Sequence, residues 1–298
     1  MRSEHMNLKR VIVFVLTVII MLSGCSFNQN QSQQSGKTSD KVPNRIISLM
    51  PSNTEILYEL GLGKHVVGVS TVDDYPKDVR EKTQFDAMKL NKESLIKAQP
   101  DLILAHESQK ASQGKVLKSL EHSGIHVVYV KDAHSIKDMY ESFAQIGKVT
   151  HKEREAQALI KETQANIDKI TKQTKKKKTN PNVFIEIASE PEIYSVGQKT
   201  FMDDMLTQLH AKNVFHDQQA WPTVSKEQII QKNPDVMITT SGVSTKAYQQ
   251  LVAQRGGFDK VNAVKNNRII ALNDDVLSRP GPRIDEAMKQ LSDAIYEK

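Results

Sequence analysis

The segment NKESLIKAQPDLILAH, residues 91–106, is restated as SKEQIIQKNPDVMITT, residues 225–240. Lys92, Glu93, Ile96, Pro100 and Asp101 coincide with Lys226, Glu227, Ile230, Pro234 and Asp235, at a constant offset of 134 residues (226 minus 92). A period that long is not that of a solenoid or propeller, whose units run to about 20–50 residues. It describes a duplicated lobe, and a chain of 298 residues has room for two. Both copies share one plan: a polar N-cap (Asn91, Ser225), an amphipathic helix, a Pro-Asp turn and a short apolar strand. Ser225 with Gln228 also fits a capping box. LILA (Leu102 to Ala105) and VMIT (Val236 to Thr239) are apolar without alternation, as strands buried on both faces are. Helix, tight turn and buried strand make half of an α/β unit.

The N-terminus reads as an address rather than as part of the fold. Lys9 and Arg10 precede a twelve-residue apolar run, Val11 to Leu22. A helix crossing a bilayer takes about 20 apolar residues, so this run fits a secretory signal peptide instead. It ends in LSGC, which resembles the lipobox of bacterial lipoproteins, and Cys25 is the only cysteine of the chain. That resemblance implies cleavage before Cys25 and lipidation on it. An exported chain without a cysteine pair has no disulfide framework, so each lobe must stand on its core. Removing Arg2, Lys9, Arg10 and Glu4 with the leader leaves 38 basic against 34 acidic residues, a net of +4. Four lysines sit together at Lys175 to Lys178, where they suit the solvated C-terminal end of a helix. Export argues against a nucleic-acid partner.

Residues 26–41 are polar, low in complexity and free of apolar anchors, and read as a tether. Its end-to-end distance as a flexible coil is about 20 Å. The first lobe opens on the apolar run RIISLM, followed by a helix that Ser52 or Asn53 can cap and Gly61 or Gly63 can end. HVVGVS and HSGIHVVYV supply further strands. Ile136, Met139, Tyr140, Phe143 and Ile146 recur at helical spacing, and THKE (Thr150 to Glu153) fits a capping box opening another helix. That second helix is long, charged and sparsely apolar (Leu159, Ile160, Ile167, Ile170), and about 25 residues would span about 37 Å. Between two similar lobes it reads as a connector. VFIEIA, YSVG and NRIIALN are strands of the second lobe, Lys199 to Phe215 a helix, and Asp285 to Lys298 a closing helix. The expected plan is a leader at 1–24, lipidated cysteine and tether at 25–42, an N-terminal α/β lobe at 43–150, a connecting helix at 151–178 and a C-terminal α/β lobe at 179–298.

RIISLMPSNTEILYELGLG followed by VVGVSTVDDYP, then AWPTVSKEQII and SRPGPRIDEAM, resembles the cobalamin-binding proteins of bacterial ABC importers. These lie within a wider family of helical-backbone receptors for vitamin B12, haem and ferric siderophores. The resemblance runs from about Val42 to the C-terminus. It implies two α/β lobes joined by one long helix, with the ligand in the cleft between them and no catalytic step. It also gives the repeat a purpose. Each lobe of such a receptor presents one exposed glutamate near a helix start to the permease dimer that works with its ATPase, and Glu93 and Glu227 match those positions. A two-fold partner meets the same handle twice, and charged contacts at a rim favour register and encounter rate.

For the ligand, the resemblance points to aromatic walls: Trp221, the only tryptophan, in its WP motif; Tyr75 in the DDYP turn; Phe85; and Pro51 as a further wall. The chain departs from the cobalamin binders in having no tryptophan just before the first docking helix, and His106 where they end the next strand on tryptophan. His106 ends a strand on the cleft side, within reach of a cobalt or iron centre or as a hydrogen-bonded rim residue. Arg279 and Arg283 suit the carboxylates of a haem or siderophore, or the carbonyls of their own loop. The implied ligand is cobalamin, with haem or a ferric siderophore as the alternative, carried as cargo rather than held as a cofactor. Nothing resembles HExxH, a P-loop or a nucleophile elbow, which argues against an enzyme. The nine histidines are scattered, with no His-rich tract for a free metal ion.

Overall fold

The computed structural model describes residues 41–189 and 191–297. The leader, Cys25 and the tether up to residue 40 lie outside the described residues.

Lobe one is built from β1 (Ile46–Ser48), α1 (Pro51–Glu59), β2 (Val66–Ser70), β3 (Thr83–Phe85), α2 (Lys92–Lys97), β4 (Leu102–His106), α3 (Gln109–Glu121), β5 (His126–Val130) and α4 (Ile136–Val149). Its sheet is wholly parallel, in the order β3-β2-β1-β4-β5. A single helix, α5 (Glu153–Lys175), leads to the second half. Lobe two comprises β6 (Asn182–Ala188), β7 (Ile193–Ser195), α6 (Phe201–Gln208), β8 (Lys212–Asn213), β9 (Thr223–Val224), α7 (Lys226–Lys232), β10 (Val236–Thr239), α8 (Thr245–Ala253), α9 (Asn262–Lys265), β11 (Ile269–Ala271), α10 (Asp274–Leu277) and α11 (Ile284–Tyr296). Its sheet runs β11-β10-β6-β7-β9, with β8 added to β6. The trio β6-β10-β11 is parallel and repeats β1-β4-β5, while β7 and β9 are antiparallel additions.

The repeated caps form as expected. The Asn91 side chain accepts the Ser94 N–H, and Ser225 with Gln228 forms a reciprocal capping box. Elsewhere other groups terminate the helices. Neither Ser52 nor Asn53 caps α1; Pro51 sits at its first turn, where a missing N–H costs nothing, and Gly61 follows its end with φ +76°. The Thr150 hydroxyl donates back to the Ile146 carbonyl, so it closes α4 rather than capping α5. The helix expected over 199–215 stops at Gln208, and the chain then adds the short strand β8.

The connecting helix packs against α4 of lobe one and α11 of lobe two. One cluster of buried apolar side chains is continuous through all three, from Ile46, Leu102 and Phe143 through Ala156, Ile160 and Ile167 to Val183, Ile238 and Leu291. Shared burial of this kind ties the lobes to one rod, because interiors pack as densely as crystals and resist shear. A polar link reinforces it: the Ile136 N–H donates to Asp204 on α6 at 2.8 Å.

Candidate functional site

The segments that follow β1 and β2 in lobe one meet the segment that follows β11 in lobe two at the boundary between the lobes. The loop after β2 carries Asp74 and Tyr75 onto lobe two, where both meet the segment 278–283 that follows α10. Crevices at the carboxyl ends of parallel strands are the usual ligand sites of α/β sheets.

The junction is an ion network. Glu55, on α1 and 2 % exposed, accepts Arg283 Nε at 2.9 Å and Nη2 at 2.6 Å, with Arg279 Nη1 at 3.4 Å. Arg279 also donates from Nη1 to Asp74 at 2.6 Å and from Nη2 to Asp275 at 2.7 Å. Burial pushes the Asp74 carboxyl up, but the hydrogen bond and charge of Arg279 outweigh it and hold the group below the usual carboxylate range. The hydrogen bonds and charge of Glu55 hold the Arg283 guanidinium charged against its burial. The sequence offers Arg279 to a ligand carboxylate; in the structure this chain's own carboxylates occupy it, because three acidic side chains converge on the segment that carries it.

The aromatic candidates separate. Tyr75 is 41 % exposed, with the Arg283 guanidinium 4.2 Å above its ring, and it borders a cavity of about 210 Å³ against Leu159, Glu162 and Thr163 of α5. Trp221 is 49 % exposed, in the loop before β9. That loop is strapped to the end of β7 and the residues after it: Gly197 N–H donates to the Ala220 carbonyl at 2.8 Å and Ser195 N–H to the Pro222 carbonyl at 2.9 Å. The approach is close enough that a Cβ at Gly197 would lie 2.7 Å from the Gln218 oxygen, so the strap needs glycine there. Val72 and Val243, in the loops after β2 and β10, are also exposed and add apolar surface at the two carboxyl edges.

Phe85 turns inward. It is 5 % exposed, and its ring fills the space that Gly68 leaves on the neighbouring strand, where a Cβ would collide with it. Pro51 is buried too, as the first residue of α1. His106 ends β4, with Nδ1 2.8 Å from the Ser108 hydroxyl and Nε2 3.6 Å from Asp132. Burial lowers its pKa below the ordinary histidine value, against the opposing charges of Asp132 and Glu107. Among the described residues no group of three or more His, Cys, Asp or Glu side chains is arranged to hold a metal ion. Glu93 and Glu227 are exposed in the first turns of α2 and α7. Glu55 went unnoticed in the sequence, because nothing local marks a carboxylate whose partner, Arg283, lies 228 residues away.

Residues 46–276 match the family described as Periplasmic binding protein. The chain is 38 % identical, over 95 % of its own length and 95 % of the relative's, to the uncharacterized ABC transporter substrate-binding lipoprotein YvrC of Bacillus subtilis (strain 168). It is 29 % identical to the vitamin B12-binding protein of Pectobacterium atrosepticum, over 86 % of this chain and 90 % of that one. Among solved structures it superposes with a TM-score of 0.81 on a possible iron-binding (periplasmic solute-binding) protein from Staphylococcus epidermidis ATCC 12228. That protein is 58 % identical, and the match covers 86 % of this chain and 100 % of that chain. Two α/β lobes joined by one helix agree with these likenesses. The chain belongs to the periplasmic binding protein family, as a non-enzymatic substrate-binding protein of ABC import.

Proposed function

We propose that this protein captures a corrinoid, cobalamin, outside the membrane and delivers it to an ABC permease dimer powered by its ATPase. The observation that supports this most is the state of the two arginines at the lobe junction. Arg279 and Arg283 are engaged by Glu55, Asp74 and Asp275, so their charge is balanced within the chain. Each lobe also carries exposed aromatic and apolar surface: Tyr75 and Val72 on lobe one, Trp221 and Val243 on lobe two. A large, flat, uncharged, amide-bearing ligand suits such walls, whereas a haem brings carboxylates that call for free cations. The vitamin B12-binding relatives favour the same reading.

A second reading within the same transport class is a ferric siderophore receptor. The 58 % identical possible iron-binding protein of Staphylococcus epidermidis favours it, and an uncharged hydroxamate complex would meet the same charge requirement. We further assign Cys25 as the lipid anchor that keeps the receptor at the outer face of the membrane, and Glu93 and Glu227 as the docking contacts to the permease.

Fluorescence tests the ligand assignment. Trp221 is the only tryptophan, so the emission reports on one wall alone. Saturable quenching by cyanocobalamin at submicromolar concentration is the expected result. Emission that falls only in proportion to the absorbance of added ligand would reject cobalamin.

A further inference from the structure

We infer that Arg283 is a positioning residue for the ligand wall: from lobe two it holds the ring of Tyr75 on lobe one, and Glu55 is the anchor that fixes it. The inference rests on the proposal that Tyr75 faces the ligand.

Three contacts carry it. The Arg283 guanidinium meets Glu55 through Nε and Nη2 at once, which fixes the plane of the fork. Hydrogen bonds in that plane leave its faces free, and Tyr75 lies against one of them at 4.2 Å. The residue before the tyrosine is gripped as well, since Asp74 accepts Arg279 Nη1. One residue earlier, the Asp73 carboxylate accepts the Ser70 N–H at 2.9 Å, within lobe one. Residues 73–75 are thus pinned at three successive positions, two of them from the opposite lobe.

A ring that is 41 % exposed and held on one face has already lost much of its rotamer freedom before a ligand arrives. Rigidity of this kind improves affinity by removing an ordering cost from the binding step. A cation–π contact at a part-exposed site is of a size to change affinity about three- to tenfold. The wall then depends on the junction: Tyr75 is set for ligand only while segment 278–283 sits on α1.

The alternative is that Arg283 only joins the lobes, and two readouts separate the roles. The protein is labelled with 3-fluorotyrosine, and the Tyr75 line among the seven tyrosines is assigned by its loss in Tyr75→Phe. In Arg283→Lys, which keeps the charge beside Glu55 and removes the planar face, the Tyr75 line is expected to shift while the others stay. Cyanocobalamin affinity is expected to fall about three- to tenfold, and to fall no further when the same change is made in Tyr75→Ala. An unmoved Tyr75 line, or an equal loss of affinity with and without the Tyr75 ring, overturns the inference. Should Arg283→Lys fail to fold, Glu55→Gln with Arg283→Gln removes both buried charges together and takes the same test. If the wild-type protein binds no cyanocobalamin, the ligand proposal fails, while the fluorine line of the free protein still decides the role of Arg283.

Discussion

Asp101 and Asp235 do the same work at the same place in each sheet. The Asp101 carboxylate accepts the backbone N–H groups of Asn44 and Arg45 at 2.8 and 2.9 Å, and its own N–H donates to the Arg45 carbonyl. The Asp235 carboxylate accepts the Asn182 N–H at 3.0 Å and Nδ2 of Asn262 at 3.0 Å, and its N–H donates to the Asn182 carbonyl. Each aspartate therefore fixes the start of a strand, before β1 in one lobe and at the head of β6 in the other. This is why the Pro-Asp turn recurs at the offset of the repeat. Replacing either with asparagine keeps one acceptor and turns a donor toward the second group. Each change is expected to cost about 1–2 kcal/mol, read as a shift in urea midpoint. Loss at one site and none at the other would end the claim of equivalence.

A second pair sets the core of lobe two. Arg255 donates to Glu186 from Nη1 at 2.7 Å and Nη2 at 2.6 Å, Tyr248 donates its hydroxyl to the same carboxylate at 3.0 Å, and both Glu186 and Tyr248 are fully buried. Arg255→Met leaves a buried carboxylate short of its counter-charge and is expected to destabilise by about 3–5 kcal/mol. Glu186→Gln combined with Arg255→Met removes both charges and is expected to recover much of that loss. Denaturant unfolding of the three proteins checks the ordering; a double variant no better than the single one contradicts it.

Acidification acts through His106. Burial lowers its pKa, so the unfolded chain takes up a proton at higher pH than the folded one, and stability is lost as pH falls below the ordinary histidine value of about 6.5. The charges of Asp132 and Glu107 oppose the shift without reversing it, and that of His134 adds to it. His106→Gln is therefore expected to flatten the decline in urea midpoint between about pH 7.5 and pH 5. Parallel pH profiles for the two proteins would remove His106 as its source.

The proposed docking residues separate capture from delivery. Glu227 is held below the usual carboxylate range by backbone and Ser225 hydrogen bonds, so it is charged at neutral pH. Glu93→Arg with Glu227→Arg is expected to leave cyanocobalamin affinity within about twofold while abolishing uptake by cells that depend on this receptor, because rim charges govern register and encounter. Uptake at the wild-type rate would dismiss these two glutamates as contacts.

What the sequence disclosed was mostly local or repeated. The caps at Asn91 and Ser225, the long charged connector and the buried strands each have a signature within a few residues. Less is legible where a distant or a competing partner decides. Phe85 has an aromatic side chain in a polar stretch, and only Gly68 on the next strand turns it inward. Thr150 has the spacing of a cap, but its hydroxyl finds the carbonyl behind it first. The role of Arg279 and Arg283 depends on Glu55, and pairing over that separation leaves no period to read.

Titration calorimetry tests the central claim most directly. Cyanocobalamin, haemin and a ferric hydroxamate are titrated into the protein under one set of conditions, with Trp221→Ala as the control. One-to-one cobalamin binding below micromolar concentration is expected, weaker by about ten- to a hundredfold in Trp221→Ala, as for an aromatic anchor that its ligand covers. No heat with cyanocobalamin, and tight binding of an iron complex instead, would contradict it and assign the receptor to iron uptake.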